Sequence, residues 1–290
     1  MKTKIYIILI ISIILAIIST FTSVDSEINK TTAVDSPSIS GIIYNLPWDD
    51  DAKFLISQKE NNSPVLMAAY CTVFNDPSPD EESNVKLAAD YLSGSIISPG
   101  EVFSQNEKLG PYTEEKGYKA GQSYLGSSIT KTVGGGVCKV ATTLYNVSVA
   151  AGLEVVERYN HFMPVSYVPH GQDATVSYGS KDLKFRNNTE EPILIWAKGI
   201  GNKLYIAFYG KKEPPDVEWG HQILNRIEAP KDYVTNTALP KGEERIIVEG
   251  ADGLAVESWI TFTYADGKKE IKSMGISQYW PMPYLIEINE

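Results

Sequence analysis

The chain has 290 residues, 43% hydrophobic and 21% charged, which is enough for one large or two modest domains of ordinary globular composition. Its formal net charge of −10 excludes a global field for holding a polyanion, so nucleic acid is not an expected partner. With two cysteines and three histidines, a disulfide scaffold and a four-cysteine zinc site are excluded too, and no metal or other cofactor is expected.

Lys2 and Lys4 precede the apolar run of residues 5–18. A basic start before a short apolar run is the pattern of a secretory signal. The run falls short of the roughly 20 residues that span a bilayer comfortably, but extended through Phe21 it could cross a thin one. Val24 and Ser26 suit cleavage after Ser26. Residues 1–26 are therefore read as a signal peptide or a membrane anchor, and the rest of the chain as extracytoplasmic. These 26 residues carry one net positive charge, so the remainder is more acidic still. Residues 27–60 are read as a linker, polar and Ser/Thr-rich at first, with a short strand at Ile42 to Tyr44.

A main domain is expected over 61–213. The run 64–74 has strand length and ends at Asn75-Asp76-Pro77. Glu82 to Ser93 reads as a helix, with Val85, Leu87, Ala88, Ala89 and Leu92 at mostly helical spacing. A glycine-rich loop then leads into a second helix, where Val137, Val140, Ala141, Leu144 and Val147 make one mainly apolar side and Gly152 is the natural stop. Beyond it the pattern turns to strands: LEVVERY, VSYV, DATVSY, LKFRN, PILIWAKG and KLYIAFYG. Gly201-Asn202 marks a hairpin tip, and Pro214-Pro215 a domain boundary. Residues 220–290 read as a small all-β domain with a hairpin at Ala265-Asp266-Gly267. The fold class is thus α+β, with a cysteine-bearing helix packed on antiparallel strands and a small all-β domain after it.

Cys138 is the residue with the clearest chemical setting. It follows Gly134-Gly135-Gly136 and Val137 and opens a predicted helix. Unpaired amides and the dipole at a helix start favour an anion, so a thiol there ionises more readily. Glycines let a substrate carbonyl approach and let amides face an oxyanion. A nucleophilic cysteine needs a base, and His161 lies 23 residues on. Asp173 could hold the imidazole tautomer, with Asp182 as the competing carboxylate. Plain alternatives stand beside these roles. Cys138 could be a small buried residue, or could pair with Cys71 in a disulfide, which export permits. Asp173 could cap a turn, and Glu157 with Arg158 could form a structural ion pair. Cys71 is expected in the core, His170 in an exposed turn and His221 in a structural role.

These residues carry a resemblance. SPGEVFSQN (98–106), GYKAG (117–121), GGGVCKVATTLYN (134–146), AGLEVVER (151–158), His161, YVPHGQDATV (167–176) and DLKFRNN (182–188) together resemble the VanW family, named from vancomycin-resistance gene clusters. The resemblance spans about Ala68 to Gly210. EGADGLAV, YADGK and the closing aromatic-proline stretch more loosely resemble a glycine-rich β accessory domain found with wall proteins. The resemblance implies peptidoglycan stem peptides as partners and L,D-transpeptidation, making 3-3 cross-links through a cysteine thioacyl-enzyme. It implies Cys138 as nucleophile and His161 as proton carrier, with amides near Gly136 to Cys138 for the oxyanion. The site expected is Cys138, His161 and Asp173, with Gly134, Gly135, Gly136, Val137 and Lys139 as the oxyanion and substrate loop and Asp182 still open as the carboxylate. One departure stands out: Lys139 occupies the place where the family usually has Gln. Two other readings are a wall cysteine peptidase or amidase, and a non-catalytic wall-binding module.

Overall fold

The computed structural model describes residues 39–125 and 128–289. The expected signal or anchor, and the first part of the linker, lie outside the described residues. In chain order the elements are β1 (Gly41–Ile42), α1 (Ala52–Glu60), β2 (Val65–Val73), α2 (Pro79–Leu92), β3 (Ser95–Ile97), β4 (Val102–Ser104), α3 (Gln105–Leu109), β5 (Ala120–Leu125), β6 (Ser128–Val133) and α4 (Val137–Ala150). They continue with β7 (Glu154–Glu157), β8 (Lys184–Arg186), β9 (Ile193–Ile200), β10 (Lys203–Gly210), β11 (Asp216–Ile227), β12 (Lys231–Thr235), β13 (Glu244–Val248), β14 (Gly253–Thr263), β15 (Lys269–Tyr279) and β16 (Tyr284–Ile288). The protein is mixed, built on several small, largely antiparallel sheets. Among the described residues no helix is long and apolar enough to cross a membrane.

The central sheet has the order β1-β2-β10-β9-β3, with antiparallel pairing throughout. Its middle strands are buried on both faces, which explains their near-continuous apolar sequence. Side chains alternate between two cores. Ala68, Tyr70, Ile206 and Phe208 face the core shared with α2 and α4, through Val85, Leu92, Val140 and Leu144. Ala69, Cys71, Tyr205, Ala207 and Tyr209 face a second core that holds Leu46, Trp48 and Phe54.

That second core corrects the linker reading for the described part of 27–60, from Gly41 onward. Asp51 caps α1 by accepting from the Lys53 and Phe54 amides. Trp48 is 1% exposed and donates its ring N–H to the Tyr209 hydroxyl at 2.9 Å. Leu46, Trp48 and Phe54 are too widely spaced to make a recognisable pattern, yet together they seal one face of the sheet.

Helix α2 starts earlier than its apolar spacing suggests. Pro79 occupies its first turn, and Ser78 and Glu81 exchange side-chain and backbone hydrogen bonds as a capping box. Helix α4 also differs from expectation, being buried on nearly every face rather than one. Its polar residues face protein: Thr143 meets Thr72 at 2.7 Å, and Thr142 and Asn146 bond the segment 172–174. That segment explains another difference. VSYV and DATVSY form no strand, apart from a bridge between Ser177 and Lys181. The Ala174 backbone bonds Thr142, and the Thr175 amide donates to the Tyr159 carbonyl, so side chains and a loop replace a ladder.

After Pro214-Pro215 the regular elements among the described residues are all strands. β11, β14 and β15 form one antiparallel sheet, and β12, β16 and β13 form another in which β12 runs parallel to β16. Ile260 and Phe262 of β14 belong to the main core cluster, and Val217, Trp219 and Met274 pack against it. Part of the C-terminal region therefore joins the main core, while Leu254, Val256 and Tyr279 form a small cluster of their own.

Candidate active site

Cys138 is the second residue of α4 and is half-buried. The turn before it depends on glycine. Gly134 and Gly136 have φ of +82° and +102°, which L side chains rarely adopt. Gly135 packs against the backbone of Gly121, where an added Cβ would lie 2.2 Å from a carbonyl carbon. Asn84 of α2 holds the turn by donating to the Gly135 and Lys119 carbonyls, each at 2.9 Å. A lone buried Asn carries no motif, so this anchor was not apparent in the sequence.

The turn uses up most of its own amides. Those of Gly134, Gly135, Val137 and Lys139 donate to the carbonyls of Lys119, Thr132, Gly134 and Gly136. Among the described hydrogen bonds, the Gly136 and Cys138 amides donate to none. Of the predicted oxyanion loop, these two amides are the ones left to face an anion. Lys139 is committed elsewhere: its ammonium lies 2.9 Å from Glu81 Oε1 and 4.8 Å above the Phe74 ring. Glu81 uses its other oxygen on the Ser78 amide, so Lys139 ties the start of α4 to the start of α2.

His161 sits on the irregular segment after β7, near enough to Cys138 that each shifts the other's ionisation, while the Cys138 sulfur itself lies 3.2 Å from Thr175 Oγ1 and 3.5 Å from the Val176 carbonyl. The His161 Nδ1 lies 2.7 Å from Asp173 Oδ2. The same oxygen accepts the His161 amide at 2.7 Å, so backbone and ring are fixed together. Asp173 is held by α4, because Thr142 and Asn146 stand one and two turns below Cys138 and bond residues 174 and 172. One helix therefore places both the thiol and the carboxylate.

Burial alone would raise the Cys138 thiol, but the His161 hydrogen bond and charge, with Thr175 and the Val176 backbone, bring it below its ordinary value. Burial likewise opposes an imidazolium, but Asp173 and Cys138 raise His161 to about 9. Burial works against the Asp173 charge too, yet His161 and Arg158 hold it down at about 2. These shifts favour the thiolate, the imidazolium and the charged carboxylate together, as one coupled system.

The other candidates fall elsewhere. Asp182 accepts from Ser104 Oγ, the Asn106 amide and the Leu183 amide, and so braces α3. Glu157 pairs with Lys184 at 2.8 Å, while Arg158 pairs with Asp173 at 3.1 Å, replacing the expected Glu157–Arg158 pair. Cys71 is fully buried in β2, and both cysteines are free. His170 is half-buried rather than exposed, and His221 stacks on Trp219. Among the described residues no cluster of three or more His, Cys, Asp or Glu is set to hold a metal ion. A cavity of about 620 Å³ lies between the end of α4 and the β14–β15 hairpin, and none of Cys138, His161 and Asp173 lines it.

Residues 80–209 match the family described as VanW like protein. Over 143 residues the chain is 40% identical to the uncharacterized protein YoaR of Bacillus subtilis strain 168, covering 49% of this chain and 47% of that one. Over 136 residues it is 33% identical to the vancomycin B-type resistance protein VanW of Enterococcus faecalis strain V583, covering 45% and 50%. The chain thus spans about half the length of these curated relatives. The solved G5 domain of an IgA1 protease overlaps 28% of this chain and 98% of its own, at 21% identity and a TM-score of 0.17, too little to argue from. The glycine turn, Cys138, His161 and Asp173 all fall inside the matched segment, and the chain carries a VanW-like domain over residues 80–209.

Proposed function

We propose that this is an extracytoplasmic, cell-wall-associated protein whose VanW-like domain is a cysteine L,D-transpeptidase acting on peptidoglycan stem peptides. The observation that carries this reading is Cys138 at a glycine-led helix start near His161, whose Nδ1 lies 2.7 Å from Asp173 Oδ2. A thiol whose pKa is lowered beside an imidazole suits covalent catalysis. The Cys138 sulfur attacks the carbonyl carbon joining the third stem residue to the terminal D-alanine. The oxyanion forms facing the Gly136 and Cys138 amides. The C–N bond breaks as the leaving amine takes the His161 proton, which leaves a thioester. The side-chain amine of a diamino acid on a second stem attacks that thioester and gives its proton to His161. The C–S bond breaks, the thiolate returns, and a 3-3 cross-link is the product.

The test is the full chain with purified tetrapeptide-stem muropeptides, followed by mass spectrometry. Dimers and released D-alanine are expected, and both should vanish in Cys138→Ala. Unchanged dimer formation in that variant would remove Cys138 as the nucleophile. Shortened stems without dimers would make water the acceptor and the protein a wall peptidase.

A further inference from the structure

The C-terminal β region reaches the triad carboxylate. Asp173 is fully buried, and each of its oxygens receives two donors. Oδ2 takes the two His161 groups. Oδ1 takes Arg158 at 3.1 Å and the Tyr279 hydroxyl at 2.5 Å. Tyr279 is the last residue of β15, 106 residues beyond Asp173. Its hydroxyl also accepts the Gly171 amide at 2.7 Å. Burial and the Asp173 charge both raise the phenol above its ordinary value, so it remains a proton donor across the physiological range.

The neighbours of Tyr279 make the same connection. Arg158 donates to the Asp173 carbonyl at 2.7 Å and to Ser277 Oγ of β15 at 2.8 Å. Asn160 donates to the Gln278 carbonyl at 2.6 Å, and the Trp280 amide donates to the Phe162 carbonyl at 2.8 Å. The Phe162 and Trp280 rings stack at 6.0 Å. Gly171 packs so tightly on β14 that an added Cβ would sit 2.1 Å from Ser258 Oγ. Residues 158–162 and 171–173, which present the base and its carboxylate, are thus clasped by residues 277–280.

We propose that Tyr279 is a positioning residue of the active site, acting on His161 through Asp173, so that the C-terminal β region is an integral part of the catalytic unit. This rests on the reading of Cys138, His161 and Asp173 as a nucleophilic relay. A carboxylate has about four acceptor positions. With all four filled, Asp173 cannot rotate, and the imidazole it holds stays aligned with the thiol. Deleting one donor frees the carboxylate, loosens the imidazolium and returns the thiol toward its ordinary value.

The test measures the rate of Cys138 alkylation by iodoacetamide against pH, in the full chain. Tyr279→Phe removes only the hydroxyl. The apparent thiol pKa is expected to rise by about one unit, slowing alkylation about tenfold on the acid side of the profile. Ser277→Ala, which removes the outer partner of Arg158, is expected to shift it less and in the same direction, and serves if Tyr279→Phe does not fold. Trp280→Ala breaks the ring stack but leaves every Asp173 donor in place, so its profile should match the native one. A Tyr279→Phe profile that overlays the native curve overturns the inference. So does a Trp280→Ala shift of equal size, which would make the clasp merely structural. Alkylation needs no muropeptide, so a native protein with a low thiol pKa that forms no dimers would sink the transpeptidase reading alone.

Discussion

Cys71 and Cys138 are the same side chain in two regions built on opposite principles. Cys71 lies in the middle of the central sheet among Ala69, Tyr205 and Ala207. Burial there pushes its thiol up to about 12, against weaker pulls from Lys203 and Tyr205. Cys138 is also sheltered, yet its thiol moves down, because an imidazole on a buried carboxylate faces it. Desolvation opposes charge in both places. What separates them is whether the surroundings pull harder than burial pushes. Lys203 and Tyr205 do not offset burial in the sheet interior, whereas His161 with Thr175 and Val176 does at the helix start.

The largest expected effect tests that contrast directly. With its pKa at about 12, Cys71 is a thiolate at pH 7 in only about one molecule in 10⁵. Mass mapping after brief alkylation of native protein should find Cys138 labelled and Cys71 intact, with Cys71 reacting only in denaturant. Equal labelling of both would erase the distinction.

Asp173→Asn should remove much of what makes the second region different. It keeps the shape but loses the charge that raises His161, and the Cys138 thiol should return toward its ordinary value. A fall in turnover of about 10²–10⁴-fold is expected. Steady-state kinetics on muropeptides check this, and an unimpaired variant would move the orienting role to another group.

The pH profiles of two reactions sharpen the comparison further. The Cys138 pKa is lowered, so its thiolate persists to lower pH than an ordinary thiol and is lost as pH falls through that lowered value. The His161 pKa is raised, so the imidazolium is lost as pH rises through about 9. Turnover needs the imidazolium as an acid and should decline above about pH 9. Alkylation needs only the thiolate and should stay on its plateau. Profiles that fall together above pH 9 would contradict the assignment of His161 as proton donor.

The smallest effect expected is at Lys139. Its ammonium is held by Glu81 and not by the thiol, so Lys139→Gln should change turnover by no more than about threefold. A large gain or loss would give this position a direct part in substrate binding.

Different parts of the molecule were legible in the sequence to different degrees. The strands of the central sheet stood out because burial on both faces leaves continuous apolar runs such as PILIWAKG. The hairpin at Gly201-Asn202 was marked by its turn residues. DATVSY has the composition of a strand but spends its backbone bonds on Thr142 and Tyr159. Propensity describes what a segment could pair with and does not reveal that a helix side chain takes the partner's place. Residues 41–60 were missed for a related reason. Leu46, Trp48 and Phe54 bury deeply, but three scattered residues form no period.

The sequence by itself determined the local setting of Cys138, the proposed nucleophile. Three glycines, a cysteine and a helical pattern follow one another directly, and the ionisation of a thiol at a helix start depends on groups within one turn. Only the tertiary structure decided between Asp173 and Asp182, gave Arg158 to Asp173 instead of Glu157, and brought Tyr279 to the same carboxylate. Hydrogen bonds require partners within about 3 Å of each other. Between residues 106 positions apart that proximity comes from the path of the whole chain, and no local pattern records it.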